Sequence, residues 1–286
     1  MSFPFHSLRL GLLACTLAFA SAAEPARIVL QNGRSVLVSG VALQGDKLVV
    51  NTAADGFAQG QIIAVETVDH VYGERPPELN PAIALLLTNK PGDAAKLLEP
   101  TLAAYRVTAK LPGNFWLEAA RATLVAYAVE GNTTKVTDLG KEISDATPAP
   151  GTDAFVALGK ALLLPASTKL AEREVAFRDL TTDNLPADIC AYASFYRASL
   201  LKNAKRSGDA AATHKQDMET LEAYLTVPCL FPSGGMILNG VAQLEAAAYL
   251  TGERREEAVA LLNSSIRHST GTLVAVEANK RLESRK

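Results

Sequence analysis

Between residues 27 and 73, apolar and polar positions alternate in short runs, the period of a half-buried strand. Arg27-Ile-Val-Leu-Gln31, Ser35-Val-Leu-Val-Ser39 and Lys47-Leu-Val-Val-Asn51 are three such runs, and Gln61 to Tyr72 is a longer fourth. Asn32-Gly33 and Gly45-Asp46 lie between them. Both pairs are turn signals because their residues tolerate a positive φ, and Asn32-Gly33 predicts a two-residue hairpin. Four or five short strands predict a small curled sheet or open barrel at residues 26–73. So small a sheet buries little by itself and has to pack on the helices next in the chain.

The period changes at Gly73-Glu-Arg-Pro-Pro-Glu78, where charge and two prolines end any strand. From residue 79 to 285 the apolar spacing becomes helical. Asn80 is expected to cap a helix with Pro81 at its first position, and Pro91 to open the next, kinked near Pro100 and reaching Val107. Asn114 is expected to cap Phe115 to Val129, which Gly131 ends. Further helices are predicted at 132–145, 152–163, 167–179, 186–205, 209–226, 235–251, 253–267 and 271–283. Breakers such as Pro148-Ala-Pro-Gly151, Ser207-Gly208-Asp209 and Pro232-Ser-Gly-Gly235 separate them. Turns this short make neighbouring helices antiparallel. The predicted fold class is therefore α+β, predominantly α: a small N-terminal barrel-like β module, then a helical hairpin array.

The start of the chain adds a location. His6 and Arg9 precede the apolar run Leu10 to Ala20, which ends in Ala20-Ser21-Ala22-Ala23 before Glu24-Pro25. That layout is a secretory signal peptide, expected at 1–22 with cleavage after Ala22 or Ala23. The run is shorter than the roughly 20 apolar residues of a membrane span. Leu12-Leu13-Ala14-Cys15 faintly resembles a lipoprotein box, but the apolar stretch continues past Cys15, so a lipid anchor is not expected. The expected setting is periplasmic or secreted, with no stable membrane insertion.

Charge excludes one class of partner. The 286 residues carry 28 basic and 30 acidic side chains, for a formal net charge of −2. Nothing resembles the basic face that phosphate neutralisation requires, so nucleic acid is not an expected partner. Histidines 6, 70, 214 and 268 fall into no metal-ligand spacing, and no nucleotide loop or nucleophile elbow occurs. No cofactor, metal or catalytic residue is expected. Ser233-Gly234-Gly235 at a helix start has the makings of an anion nest, although glycines after Pro232 also simply turn a chain. Asn132-Thr-Thr134 and Asn263-Ser-Ser265 match a glycosylation sequon by chance, within helical sequence.

Tyr127-Ala-Val-Glu-Gly131-Asn and Tyr249-Leu-Thr-Gly252-Glu, the latter followed by Glu257-Ala258 and Leu261-Leu262, carry a resemblance. They resemble the tetratricopeptide-repeat-like superfamily, whose helix-turn-helix units are about 34 residues long. The chain departs from that pattern at Thr123-Leu124 and in the longer Gly252-to-Ala258 spacing, so the array is degenerate. The resemblance implies stacked hairpins, a curved surface and work in protein or peptide binding. In such an antiparallel hairpin turning at Gly208, Cys190 near one helix start and Cys229 past the next helix end fall at the same end. With export, this predicts a Cys190–Cys229 disulfide.

Trp116 and Tyr127 share one predicted helix; Tyr192, Phe195 and Tyr196 share a face of another. They are either hairpin packing or an aromatic ridge on which a peptide docks, and they are the candidate binding residues. The functional expectation is an exported, non-catalytic scaffold or adaptor binding protein partners of the cell envelope. The alternatives are a peptide- or glycan-binding envelope module, and an enzyme in a cleft between the two domains.

Overall fold

A computed structural model of the chain describes residues 25–146, 153–206 and 208–285. The leader expected at 1–22 and the Pro148–Gly151 breaker lie outside the described residues.

The β module consists of two three-stranded antiparallel sheets. In the first, β1 (Arg27–Leu30) lies between β2 (Ser35–Leu37) and β6 (Val68–Tyr72). In the second, β4 (Lys47–Val50) lies between β3 (Val41–Gln44) and β5 (Ile62–Ala64). Single 3-10 turns at Val38–Gly40 and Val65–Thr67 carry the chain from one sheet to the other. No barrel closes among the described residues: each corner turn ends one ladder before the next begins. The long run from Gln61 to Tyr72 is cut in the same way. Thr67 donates its hydroxyl to Ala64 O at 2.7 Å, and Gln31 N donates to Thr67 O at 3.0 Å, fixing the corner.

The turn at Asn32-Gly33 has one residue more than expected. Leu30 N donates to Arg34 O at 2.8 Å, leaving the three-residue loop Gln31-Asn32-Gly33. Asn32 Oδ1 accepts from Arg34 N, and Gly33 takes φ 79°, a left-handed value that costs a residue with a Cβ more than glycine. The two-residue turn is the other one: Gln44 pairs with Lys47 across Gly45-Asp46.

Both sheets share a core of Ile28, Leu30, Val36, Leu48, Phe57 and Ile63, among others. Leu111, only 2% exposed, belongs to that core although it lies beyond two helices, and Val107 packs beside it. The same loop is tied to the sheets by Val71 N donating to Pro112 O at 3.0 Å and by a Lys110–Asp46 ion pair at 2.8 Å. The strand period stops at Gly73, as the sequence indicates, but the β core is completed by residues 107–112.

The helices follow the predicted order: α1 (Leu79–Leu87), α2 (Pro91–Tyr105), α3 (Phe115–Val129), α4 (Thr133–Ala146), α5 (Ala154–Leu162) and α6 (Leu170–Arg178). After them come α7 (Ala187–Asn203), α8 (Ala210–Leu230), α9 (Met236–Ala246), α10 (Arg255–His268) and α11 (Leu273–Glu283). Several starts are set by side-chain caps, with Asn114 accepting from Leu117 N, Asp153 from Phe155 N and Asp209 from Ala211 and Ala212 N. Asn80 is not a cap. The helix starts two residues earlier than expected, at Leu79, and Asn80 Oδ1 accepts instead from Arg75 at 2.6 Å. Pro100 and Pro228 both sit inside helices that continue past them.

The hairpins do not form an open stack. α3 packs on α5, α5 on α7, α7 on α9, and α9 returns to α1, which also meets α3 and α11. The odd-numbered helices α1 to α9 therefore make a closed inner ring, α2, α4, α6 and α8 connect them on the outside, and α10 leads on to α11. Each inner helix is reached through an antiparallel partner, so all five run the same way and the ring has an N-terminal and a C-terminal mouth.

Because Leu111 fills the β core from the helical side, Leu111→Ala is expected to cost about 3 kcal/mol of stability. Urea unfolding followed by far-UV circular dichroism and by Trp116 fluorescence checks this. A loss below about 1 kcal/mol would show that the loop only tethers the sheets.

Candidate functional site

Each mouth of the ring opens into a cavity. The N-terminal one, about 490 Å³, lies where the ring meets the loop that completes the β core. Arg75 and residues 109–114 border it on that side, and the first turns of α1, α3, α5, α7 and α9 supply the rest. Its wall is mostly apolar: Ile83, Leu117, Phe155 and Ile237 contribute, and Met236, 65% exposed, stands at the rim. Gly234 and Gly235 line it too, and of the two readings of Ser233-Gly234-Gly235, an anion nest or a simple turn of the chain, Gly234 has a packing reason for the turn. A Cβ on Gly234 would press on Ala191 and lie 2.8 Å from Ala187 O, so glycine lets the turn before α9 sit directly against α7.

The charged groups of this cavity are already paired. Arg75 grips Glu118 with both Nε and Nη2. Arg121 donates to Asp153 through Nε at 3.2 Å and Nη2 at 2.7 Å, reaches Asp188 at 3.7 Å, and lies over the Phe155 ring. The Asp153 side chain is 1% exposed and also caps α5, so Arg121 joins α3 to the start of α5 and to α7. Sequence reasoning did not single out Arg75, Glu118, Arg121, Asp153 or Asp188. Asp153 before an apolar run was a legible capping signal, but nothing in the spacing of Arg121 named its partner.

The C-terminal cavity, about 880 Å³, is bounded by the last turns of the same inner helices with α6 and α11. Leu86, Phe177, Leu200 and Leu244 form its walls.

The predicted aromatic residues do not form an exposed ridge. Trp116 is 2% exposed in the helical core. Tyr127 is buried with its hydroxyl 3.4 Å from Glu99, and Lys135 lies over its ring. Tyr192 lines the N-terminal cavity, whereas Phe195 and Tyr196 line the C-terminal one. The rings of Tyr192 and Tyr196 stack with centroids 6.5 Å apart; Phe155 meets Tyr192 at 5.5 Å, and Phe195 meets Tyr196 at 5.4 Å and Tyr224 at 5.7 Å. This column stands between the two cavities and divides the ring into two cups. Burial pushes the Tyr192, Tyr196 and Tyr224 hydroxyls above the usual tyrosine range, with Glu118 and Asp188 adding to the rise at Tyr192.

The Cys190–Cys229 bridge is not made; both thiols are free. The expected geometry fails because α8 continues through Pro228 to Leu230, which places Cys229 on an exposed helical turn. Cys190 turns inward, its Sγ 3.7 Å from both Thr182 O and Leu185 O. Burial, then nearby Asp188, pushes its thiol pKa up. Among the described residues no group of three or more His, Cys, Asp or Glu is placed to hold a metal ion, and no helix is long and apolar enough to cross a membrane. His70 pairs with Asp69 on the surface, His268 bonds Gln243, and His214 is exposed.

Comparison with family models, with curated proteins and with solved structures returns no match, so no relative lends this chain a function. What defines it is its own architecture: an α+β chain in which a β module is fastened to a closed ring of helical hairpins.

The tyrosine column makes stability depend on high pH. Tyr192, Tyr196 and Tyr224 have folded pKa values raised above their unfolded value. Their contribution is complete below about pH 10 and falls as pH rises toward the folded values, because only the unfolded chain then releases the protons. Denaturant unfolding at pH 8 to 11 is expected to show a decline above about pH 10 that is shallower in the Tyr192→Phe, Tyr196→Phe double variant. An equal decline in both proteins would contradict the assignment.

Proposed function

We propose that this chain is an exported, non-catalytic adaptor that binds a protein partner of the cell envelope at the N-terminal cup. In this reading its helices are degenerate tetratricopeptide-like hairpins closed into a ring, and its sheets resemble the small SH3-like or Sm-like modules. The observation that carries the proposal is the state of the cup's carboxylates. Glu118 is held by Arg75 at two nitrogens, and Asp188 faces Arg121. General acid–base chemistry needs a group free to exchange its proton with a substrate, and a carboxylate gripped by guanidinium is poorly suited to it. A paired polar rim around an apolar hollow suits recognition: the hollow takes an apolar side chain, and the rim offers hydrogen bonds to the backbone beside it. Exposed Met236 extends the apolar surface at the rim of the hollow. Burial of the five aromatic candidates moves recognition away from a ridge and into the cup.

An enzyme between the two domains is the second reading, because the cup lies at that junction and Glu118, Asp188 and Tyr192 all line it.

A photoreactive amino acid at Met236, in cells carrying the full chain, tests the proposal. It is expected to capture one reproducible envelope protein that a probe at Val276, on the opposite mouth, does not capture. Leu117→Arg, which puts a charge in the hollow, is expected to reduce that capture at least about tenfold, the effect of losing about 1.4 kcal/mol. Equal capture from both positions, or capture indifferent to Leu117→Arg, would contradict the adaptor reading.

A further inference from the structure

Two residues that line the C-terminal cup each carry a buried polar atom with no partner among the described residues: Tyr196 at its hydroxyl and Arg173 at Nε. Tyr196 is only 8% exposed. Buried polar groups in folded proteins nearly always have a partner, and unpaired ones mark places where water or a ligand completes the set. Arg Nε–H can only donate. The phenol keeps its proton at neutral pH because burial raises its pKa, so it too has a proton to donate. What completes each of them is an acceptor.

The charges around the cup point to an anion. Glu245 and Glu277 line it but are committed, Glu245 to Lys202 and Arg281, and Glu277 to Arg281 at 2.9 Å. Arg173 and Lys90 also line it, and neither has a carboxylate partner among the described residues. The inner helices present their carbonyl ends at this mouth, which by itself favours cations. Several of those carbonyls already have internal donors. Thr88 Oγ1 serves Ala84 O and Leu85 O, Gln216 Nε2 serves Leu201 O, and Arg281 Nη1 serves Leu244 O. Arg173 is not drawn into that capping, so two cationic charges stay uncompensated at the cup.

The rest of the lining is apolar: Leu86, Phe177 and Leu200 inside, with Leu170 and Val276 exposed at the rim. We propose that the C-terminal cup binds an amphipathic organic anion, with its oxygens on Arg173 Nε and the Tyr196 hydroxyl and its hydrocarbon against the apolar wall. A carboxylate or a phosphate monoester head offers the same acceptors, and the two are separated by experiment. The site is distinct from the N-terminal cup and does not depend on the adaptor reading.

Isothermal titration of the full chain with decanoate, decyl phosphate and uncharged decanol, each below its micellar concentration, tests this. At least one anion is expected to bind at least about tenfold more tightly than decanol, and the stronger of the two identifies the head group. Arg173→Gln is expected to weaken that anion at least about tenfold, and Tyr196→Phe severalfold, while Arg254→Gln on the outer surface leaves it unchanged. Circular dichroism and unfolding curves check that the variants are folded. No binding, decanol binding as tightly as the anions, or a folded Arg173→Gln protein with unchanged affinity would each overturn the proposal.

Discussion

Asp153 carries a carboxylate with almost no contact with solvent, and Arg121 is the guanidinium that bonds it. A buried carboxylate without its counter-charge is costly, and breaking such a pair typically removes about 3–5 kcal/mol. Arg121 is itself about a quarter exposed, so the pair sits where a buried core meets an open cup. Its position gives it more than local importance. From α3, Arg121 reaches the cap of α5, stacks on Phe155 and approaches Asp188 at the start of α7. Three consecutive helices of the inner ring are thereby held in register at their N-terminal ends. The ring can close only if each inner helix meets the next at the correct angle, so the contact of α9 with α1 depends on this register.

Closure has consequences for binding. An open array of hairpins offers a long concave groove; a closed ring offers two mouths and an interior. Here the interior is filled by the column from Phe155 through Tyr192, Tyr196 and Phe195 to Tyr224, leaving a cup on either side. The cups differ in chemistry. At the N-terminal mouth arginines and carboxylates neutralise each other around an apolar hollow, whereas at the C-terminal mouth Arg173 and the Tyr196 hydroxyl are left over. The β module is fastened beside the first of these by Leu111 and by the Lys110–Asp46 pair. Anything bound at the N-terminal cup therefore lies next to the sheets as well.

Much of the local structure is legible in the sequence. Asn114 before Phe115 and Asp209 before Ala210 mark helix starts through a side chain that accepts a nearby N–H, and the structure uses both that way. Such signals act within a few residues, which is why helix order and most boundaries follow from the pattern. Asn80 misleads because the same oxygen that caps a helix also accepts from a guanidinium, and Arg75 supplies one. The strand Val41–Gln44 does not stand out from its neighbours because a 3-10 turn, and no turn dipeptide of the Asn-Gly kind, precedes it. Pairing Cys190 with Cys229 requires Pro228 to end its helix; the helix carries on and the thiols diverge. The aromatic residues of the candidate site are visible in the sequence, but their grouping is not. Tyr192 and Tyr196 are one turn apart on α7 and still face different cups. Contacts between α1 and α9, or between Leu111 and the sheets, join residues far apart in sequence, and no local pattern encodes them.

Ring closure is the claim on which both cups rest, and one distance tests it. Lys90, just after α1, and Val276, on α11, border the same C-terminal cup. Spin labels at these two positions, in a chain with Cys190→Ala and Cys229→Ser, report their separation by double electron–electron resonance. The closed ring predicts one short, narrow distance, set by the width of a single cup. An open array would separate α1 from α11 by five packing steps of about 10 Å each, giving a distance near or beyond about 50 Å. A distribution centred there would contradict the ring, and with it the two cups.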